Sequence, residues 1–262
     1  MKKLKFKKFD AFATANSSGN PAGCVQLNSM SELNDDQMLK IAKELKGFVT
    51  EVGYISDENF PVYDLKYFSS EREVDFCGHA TIAILYDLIK NDPKLIEQEV
   101  IKIRTRKGIL EVENQIKKEN SVFVMAPKPV FIKNSLSADV IAKELNISVS
   151  EIDKSLDISI INAGLATLII PILSLKSILN ISPDLETLNI FCRNNNIDII
   201  EVFCKEVTNP MSDYRTRVFA PTYGYIEDPA TGSGNSAFGY YLIERKMFNK
   251  SFIVIEQNGF EK

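Results

Sequence analysis

Four short strings in this sequence combine residue types suited to acid–base or anion-binding chemistry. The most distinctive is Asp228-Pro-Ala-Thr-Gly-Ser-Gly-Asn235. Asp, Thr and Ser are good turn and cap residues, so the plain reading is a capped turn before a helix. The second string, Asp75-Phe-Cys-Gly-His-Ala-Thr81, carries the only histidine of the chain. A lone buried histidine is more often a satisfied core residue than a catalytic one. Here it stands at an expected helix start, directly after a glycine, where a cleft can reach it. A Cys77–His79 nucleophile pair is a natural suspicion, but positions two apart on a helix do not face each other, so it is not expected. The third string, Gly19-Asn-Pro-Ala-Gly23, reads as a turn after the first strand or as a simple loop. The fourth, Thr50-Glu51-Val-Gly-Tyr54, sets an acid inside an otherwise apolar strand. On a solvated face Glu51 needs no explanation. On the opposite face it is a carboxylate at low dielectric, suited to acid or base work.

The elements that must position these strings follow from hydrophobic periodicity. Residues 4–12 alternate and predict a strand, and 24–27 a short second one. Asn34 can cap a helix running to Leu45, with Met38, Ile41, Ala42 and Leu45 on one face. Residues 48–55 and 62–68 are β-like. Residues 78–90 are apolar nearly all round, which predicts a helix buried on every side. Strands at 100–105 and 109–112 follow. The second half repeats the plan, with strands at 121–125, 159–162, 166–170, 199–203 and 214–219 and helices near 138–145 and 185–194. A helix at 233–246, again apolar around most of its surface, and a strand at 252–256 complete it. Each half therefore has a Gly-containing turn that opens a mostly apolar helix. The pattern predicts an α+β fold of two pseudo-symmetric lobes. Each lobe is expected to be a mostly antiparallel or mixed sheet rolled around a central helix, with a cleft between the lobes. The polar stretch 114–120 reads as the linker, giving lobes 1–116 and 117–262. Two helix N-termini opening into that cleft would bind anions such as carboxylates.

Composition narrows the chemistry. The 262 residues carry 31 Lys and Arg against 35 Asp and Glu, a net charge of −4, which gives no electrostatic reason to expect nucleic acid. Lys2, Lys3, Lys5, Lys7 and Lys8 read as a solvated sheet face, and Arg104, Arg106 and Lys107 as a hairpin turn. One histidine excludes metal centres built on several histidines. Cys24, Cys77, Cys192 and Cys204 show no CxxC spacing, so reduced thiols and a cytoplasmic location are the default. No apolar run is long enough for a membrane span, and no secretory leader is recognisable.

The four strings occur together over the whole chain, with Asn162-Ala-Gly-Leu165 in the second half. In combination they resemble the PhzF family of phenazine biosynthesis, within the diaminopimelate-epimerase-like fold. That resemblance implies a cofactor-free isomerase working by proton transfer on a small carboxylated metabolite. It implies Glu51 as general base and then general acid, returning the proton on the same face of the substrate. His79 and Asp228 match residues that orient the substrate and assist proton movement. Thr50, Gly78, Gly232 and Ser233 match hydroxyl and N–H donors of the site, and Asn20 the asparagine of the family's Asn-Pro-Ala turn. A homodimer and a biosynthetic role follow by analogy. Membership does not fix the substrate, because most members are not phenazine enzymes. The epimerase relatives use two thiols. Cys77 falls at the first position but Thr231 at the second, so inversion by a thiol pair is not expected. The family carries one or two strands beyond the last one here, with a Gly-Arg-Pro-like continuation after Gly259-Phe-Glu. The chain stops at Lys262, so the first lobe is expected to lack its closing strand.

Two rival readings stand beside this one. Gly232-Ser-Gly-Asn-Ser-Ala237 fits the dinucleotide fingerprint G-x-G-x-x-A, with Glu256 about twenty residues on. Against NAD, Ala220 to Ala230 intervenes after the preceding strand and only one strand follows. Alternatively, the lobes fold without catalysing anything, as a metabolite-binding protein.

Overall fold

A computed structural model describes residues 3–14 and 17–259. The chain divides into two units, Met1–Pro127 and Lys128–Lys262. The division lies beyond the expected 116/117 boundary. The polar stretch 114–120 is not a linker: it ends a strand, forms one helical turn and turns back through Asn120 (φ +52°) into a strand of the same sheet.

The first unit runs β1 (Lys5–Ala11), β2 (Asn20–Leu27), α1 (Asp35–Glu44), β3 (Glu51–Ser56), β4 (Val62–Ser69), β5 (Glu73–Val74), α2 (Gly78–Asn91), β6 (Val100–Thr105), β7 (Gly108–Gln115), α3 (Ile116–Glu119) and β8 (Ser121–Val124). Its sheet has the order β1-β2-β3-β4-β6-β7-β8, with β5 hairpinned onto β4. The pairs β2·β3 and β4·β6 are parallel and the others antiparallel. Helix α2 touches β1, β2 and β3, and also β8 at the far end of the strand order, so the sheet curls around it. The helix buries Ala80, Ile84, Leu85 and Ile89, each larger aliphatic contributing about 1.5–3 kcal/mol. Gly53 permits the close approach: a Cβ there would lie 2.3 Å from Ile84 Cδ1. On the other face α1 packs Met38 and Ala42 against β2 and β3. It starts where Asn34 accepts the Gln37 N–H at 2.9 Å while Gln37 Oε1 accepts the Asn34 N–H at 3.0 Å. Such reciprocal caps are worth about 1 kcal/mol.

The second unit runs β9 (Val130–Ile132), α4 (Ala138–Glu144), β10 (Ser159–Asn162), β11 (Ala166–Pro171), α5 (Leu175–Asn180), α6 (Leu185–Asn194), β12 (Ile199–Cys204), β13 (Tyr214–Phe219), β14 (Glu227–Asp228), α7 (Gly232–Glu244) and β15 (Ile255–Gln257). Its order is β14-β13-β12-β11-β10-β9, with β15 parallel to β13. Helix α7 covers β10, β11 and β12 and buries Ala237, Phe238, Tyr241 and Leu242. Phe203 and Tyr214 meet its aromatics at centroid distances of 4.5–5.4 Å.

The two units repeat one topology. In each, a parallel strand pair (β2·β3, β11·β12) is followed by an antiparallel strand (β4, β13). A two-residue hairpin strand comes next (β5, β14), then the long buried helix, then a strand parallel to the third (β6, β15). The mixed α+β architecture of two curled sheets agrees with the sequence expectation. Lys3, Lys5, Lys7 and Lys8 are exposed along the alternating β1 edge; Lys2 and the Phe260–Lys262 end lie outside the described residues. Arg106-Lys107 forms the β6–β7 turn, as expected. Among the described residues no helix is long and apolar enough to cross a membrane.

Candidate active site

The expected turn at Gly19-Asn-Pro-Ala-Gly23 is mostly strand. Gly19 adopts φ +68°, a conformation that favours glycine, and sends the chain back so that Asn20 pairs with Ala11. Asn20 is thereby fully buried at the start of β2. The parallel β3 lies alongside, and Glu51 pairs with Ala22 of β2 and Ser69 of β4. Thr50, just before β3, donates its hydroxyl to Pro21 O at 2.8 Å or Asn20 Oδ1 at 2.9 Å. Glu51 and His79 are both only 4% exposed, which removes the solvated-face reading of Glu51.

His79 is the second residue of α2 and joins these groups. Its Nε2 lies 3.1 Å from Thr50 Oγ1 and 3.3 Å from Glu51 Oε2, and its Nδ1 3.4 Å from Cys77 Sγ. Burial pushes its pKa down to about 3, so the ring is neutral near pH 7. A neutral imidazole donates through one nitrogen and accepts through the other. Thr50 has already given its proton to the β2 backbone or to Asn20, so its oxygen accepts from His79 Nε2–H. The Nδ1 lone pair then accepts from the Cys77 thiol. The assignment directs Nε2–H to Thr50, with Glu51 Oε2 3.3 Å from the same nitrogen.

The Cys77–His79 contact corrects the sequence argument against it. Cys77 is not in the helix: it is the extended N-cap residue (φ −125°, ψ 103°), so the rule for helix neighbours does not apply. Thr81 Oγ1 bonds the Cys77 carbonyl at 2.6 Å, and Tyr67 in turn donates to Thr81 at 2.7 Å. These bonds lock the turn that aims Cys77 and His79 at Glu51.

Ligand atoms of Glu51, Cys77 and His79 lie within 4.8 Å of one another. The imidazole divides them, with Nδ1 toward the thiol and Nε2 toward the carboxylate. Three-point coordination of one ion would require the ring or the carboxylate to turn, so the arrangement suits proton transfer better than metal binding.

In the second unit Asp228 ends β14, Thr231 caps α7, Gly232 opens it and Ser233 follows, with Asp228 and Ser233 buried. Gln257 of β15, which the sequence reading passed over, ties this loop together. Its Oε1 accepts from Thr231 N–H and Asn235 Nδ2, both at 2.9 Å, and its Nε2 donates to Asp228 O at 2.6 Å. Neither Cys77 nor Thr231 makes a side-chain cap bond, unlike Asn34, Ser137, Ser174 and Asp184 at the starts of α1, α4, α5 and α6. First-turn N–H groups of α2 and α7 are therefore not taken by their own caps. The G-x-G-x-x-A string is not set as a dinucleotide site. It follows the two-residue β14, antiparallel to β13, and Glu201 Oε2 fills the space beside its second glycine, Gly234.

Because His79 stays neutral down to about pH 3, the imidazole resonances of the protein should not move between pH 8 and pH 5. A ring with an unfolded-state pKa near 6.5 that is depressed on folding contributes stability above pH 6.5. That contribution declines by about 1.4 kcal/mol per pH unit as pH falls from 6.5 toward 3. A ¹H–¹³C spectrum of the single histidine checks this: a midpoint near 6 to 7 would mean a solvated ring.

A family model described as phenazine biosynthesis-like protein, PhzC-PhzF, matches residues 9–260. An uncharacterized isomerase of Clostridium acetobutylicum is 30% identical over 254 residues, covering 94% of this chain and 82% of the relative. The crystal structure of a Bacillus anthracis phenazine biosynthesis protein of the PhzF family superposes with a TM-score of 0.82 at 26% identity, over 98% of this chain and 87% of that one. A predicted epimerase from Pseudomonas aeruginosa shares the fold, at a TM-score of 0.74 and 16% identity over 95% and 85% of the two chains.

Proposed function

The chain belongs to the phenazine biosynthesis-like PhzC-PhzF family and is an isomerase; on that premise we propose that it shifts a proton within a small carboxylated metabolite, without a cofactor. The observation that carries the reading is the buried contact of Glu51 Oε2 with Nε2 of a neutral His79, at 3.3 Å. Glu51 takes a proton from a substrate C–H bond, whose electron pair delocalises toward the substrate's unsaturated or carboxylated end. The resulting carboxylic acid returns the proton to another carbon on the same face, and the electron pair closes a new C–H bond. Glu51 ends as it began, and no oxidant or reductant is needed. His79 Nε2–H stays protonated throughout and holds the carboxylate, while Thr50 and Asn20 hold the ring. Burial excludes water that would otherwise quench the carbanion. The uncapped first turn of α7, with Gly232 and Ser233, supplies donors for the substrate's carboxylate, and Asp228 orients the substrate. A cytoplasmic homodimer is part of the same proposal.

The test is a screen of unsaturated, cyclic and amino carboxylic acids by proton NMR, on the protein and on Glu51→Gln. One acid isomerised by the first and not by the second is expected. A metabolite that binds and raises the melting temperature, with no isomerisation, would favour the binding-protein alternative. On a found substrate, Ser233→Ala should raise KM about tenfold with a smaller change in kcat, the cost of one hydrogen bond to a charged group. Steady-state kinetics with unchanged KM would place the carboxylate elsewhere.

A further inference from the structure

The C-terminal unit buries a second acid that the chemistry above does not use. Glu201 stands in the middle of β12, 0% exposed, and neither carboxyl oxygen has a hydrogen-bond partner among the described residues. It presses on the first turn of α7. A Cβ built on Gly234 would lie 2.9 Å from Glu201 Oε2 and 3.3 Å from Thr231 Cγ2.

Strand register places Glu201, Val218 and Asp228 in one row across β12, β13 and β14. Residues directly opposite share a face, and Phe203, two residues beyond Glu201, packs on Phe238 of α7. The matching row of the first unit is Gly53, Tyr67 and Val74. The helix position matching Gly234, counted from the N-cap, is Ala80. One unit thus has glycine on the strand and alanine on the helix, the other glutamate on the strand and glycine on the helix. The exchange makes room for an acid under the α7 turn.

A carboxylate without partners is costly in a protein interior, and burial raises the Glu201 pKa well above the ordinary carboxylate range. Once ionised, Glu201 would be an anion at the positive end of α7. We propose that Glu201 is a positioning residue for anion binding at the Gly232-Ser233 turn: as the neutral acid it leaves the turn to a substrate carboxylate, and as the anion it competes with that carboxylate. This inference rests on the anion-binding role given to α7 above. The other titratable groups facing this space among the described residues are Asp228 of β14, Tyr214 of β13 and Tyr241 of α7. Burial raises the pKa of both tyrosines, that of Tyr241 to about 12. On this face β11 presents Thr167 and Ile169, which do not titrate.

Inorganic sulfate, a dianion throughout, is the probe. Its affinity is measured by calorimetry from pH 5 to 9 at constant ionic strength, on the protein, Glu201→Gln and, as an apolar near-isostere, Glu201→Leu. Asp228 and both tyrosines are present in all three. The affinity of the unaltered protein should fall by up to tenfold per pH unit once Glu201 ionises, while both variants stay flat. Ser233→Asp should abolish the signal, and its persistence there would overturn the inference. Equal pH dependence in all three proteins would overturn this inference alone. No sulfate binding at any pH would overturn it together with the anion-binding role of α7. Melting temperature provides an independent readout. The folded state holds the Glu201 proton above the pH at which the unfolded chain releases it, so stability is lost as pH rises from about 4.5 toward the folded pKa. The advantage of Glu201→Gln should therefore widen by several degrees from pH 4.5 to 8, and superimposed profiles would also overturn the proposal.

Discussion

Replacing Glu51 by glutamine should lower turnover by about 10²–10⁴-fold, the usual contribution of a general base, while the protein folds and melts nearly as before. Glutamine has the same shape, and its carbonyl oxygen can take the place of Oε2 opposite His79 Nε2–H. It cannot accept a proton from carbon. Glu51→Asp keeps the carboxylate but draws it back by one methylene toward the β3 backbone, so it should fall between the two. Steady-state rates and melting curves on the three proteins decide the matter. If the glutamine variant stays within a few-fold of the parent, the base is another group. The thiol of Cys77, 3.4 Å from His79 Nδ1, is then the next candidate.

Gly19→Ala should be the most damaging single change to the first unit. The left-handed backbone at φ +68° costs an alanine about 1–2 kcal/mol. The added methyl would also lie 2.3 Å from Ala11 O and 2.7 Å from Ala13 N. Both are backbone atoms, Ala11 at the end of β1 and Ala13 in the connection after it, so no side chain can swing aside. A total of about 3–5 kcal/mol is expected, a melting temperature lower by about 10 °C in a chain of this size. The damage is local to the site as well. Asn20 follows directly, and its Oδ1 accepts from the Thr50 hydroxyl that positions His79. A thermal shift of less than about 2 °C would mean that the β1–β2 connection relaxes freely.

The sequence made the two long apolar helices, their Gly-containing openings and the repeated plan legible, because those features are local. Glu51 was legible as an acid in an apolar strand, but only pairing with both β2 and β4 decides that it is buried. The 114–120 stretch misled because polarity marks solvent exposure, which a strand end and helical turn share with a linker. The Cys77–His79 contact was lost by applying the helix-neighbour rule to Cys77, which stands just before the expected helix at 78–90. Glu201 went unread because all six residues of β12 are buried, so alternation carries no information about its face. Gln257 was invisible for a different reason. Its role consists of bonds to Asp228, Thr231 and Asn235, residues 22–29 positions away.

The four cysteines are all buried and none is in a disulfide, two in each unit. Burial pushes the thiols of Cys24 and Cys192 up to about 12 and that of Cys204 to about 11. Thiolate is the reactive form, so an alkylating reagent meets these side chains only when the surrounding structure opens. Cys24 on β2 and Cys192 on α6 are thus internal clocks, one for each half of the chain. Mass-resolved labelling of the two peptides reads the opening rate of each unit separately, with no engineered probe and no knowledge of the substrate.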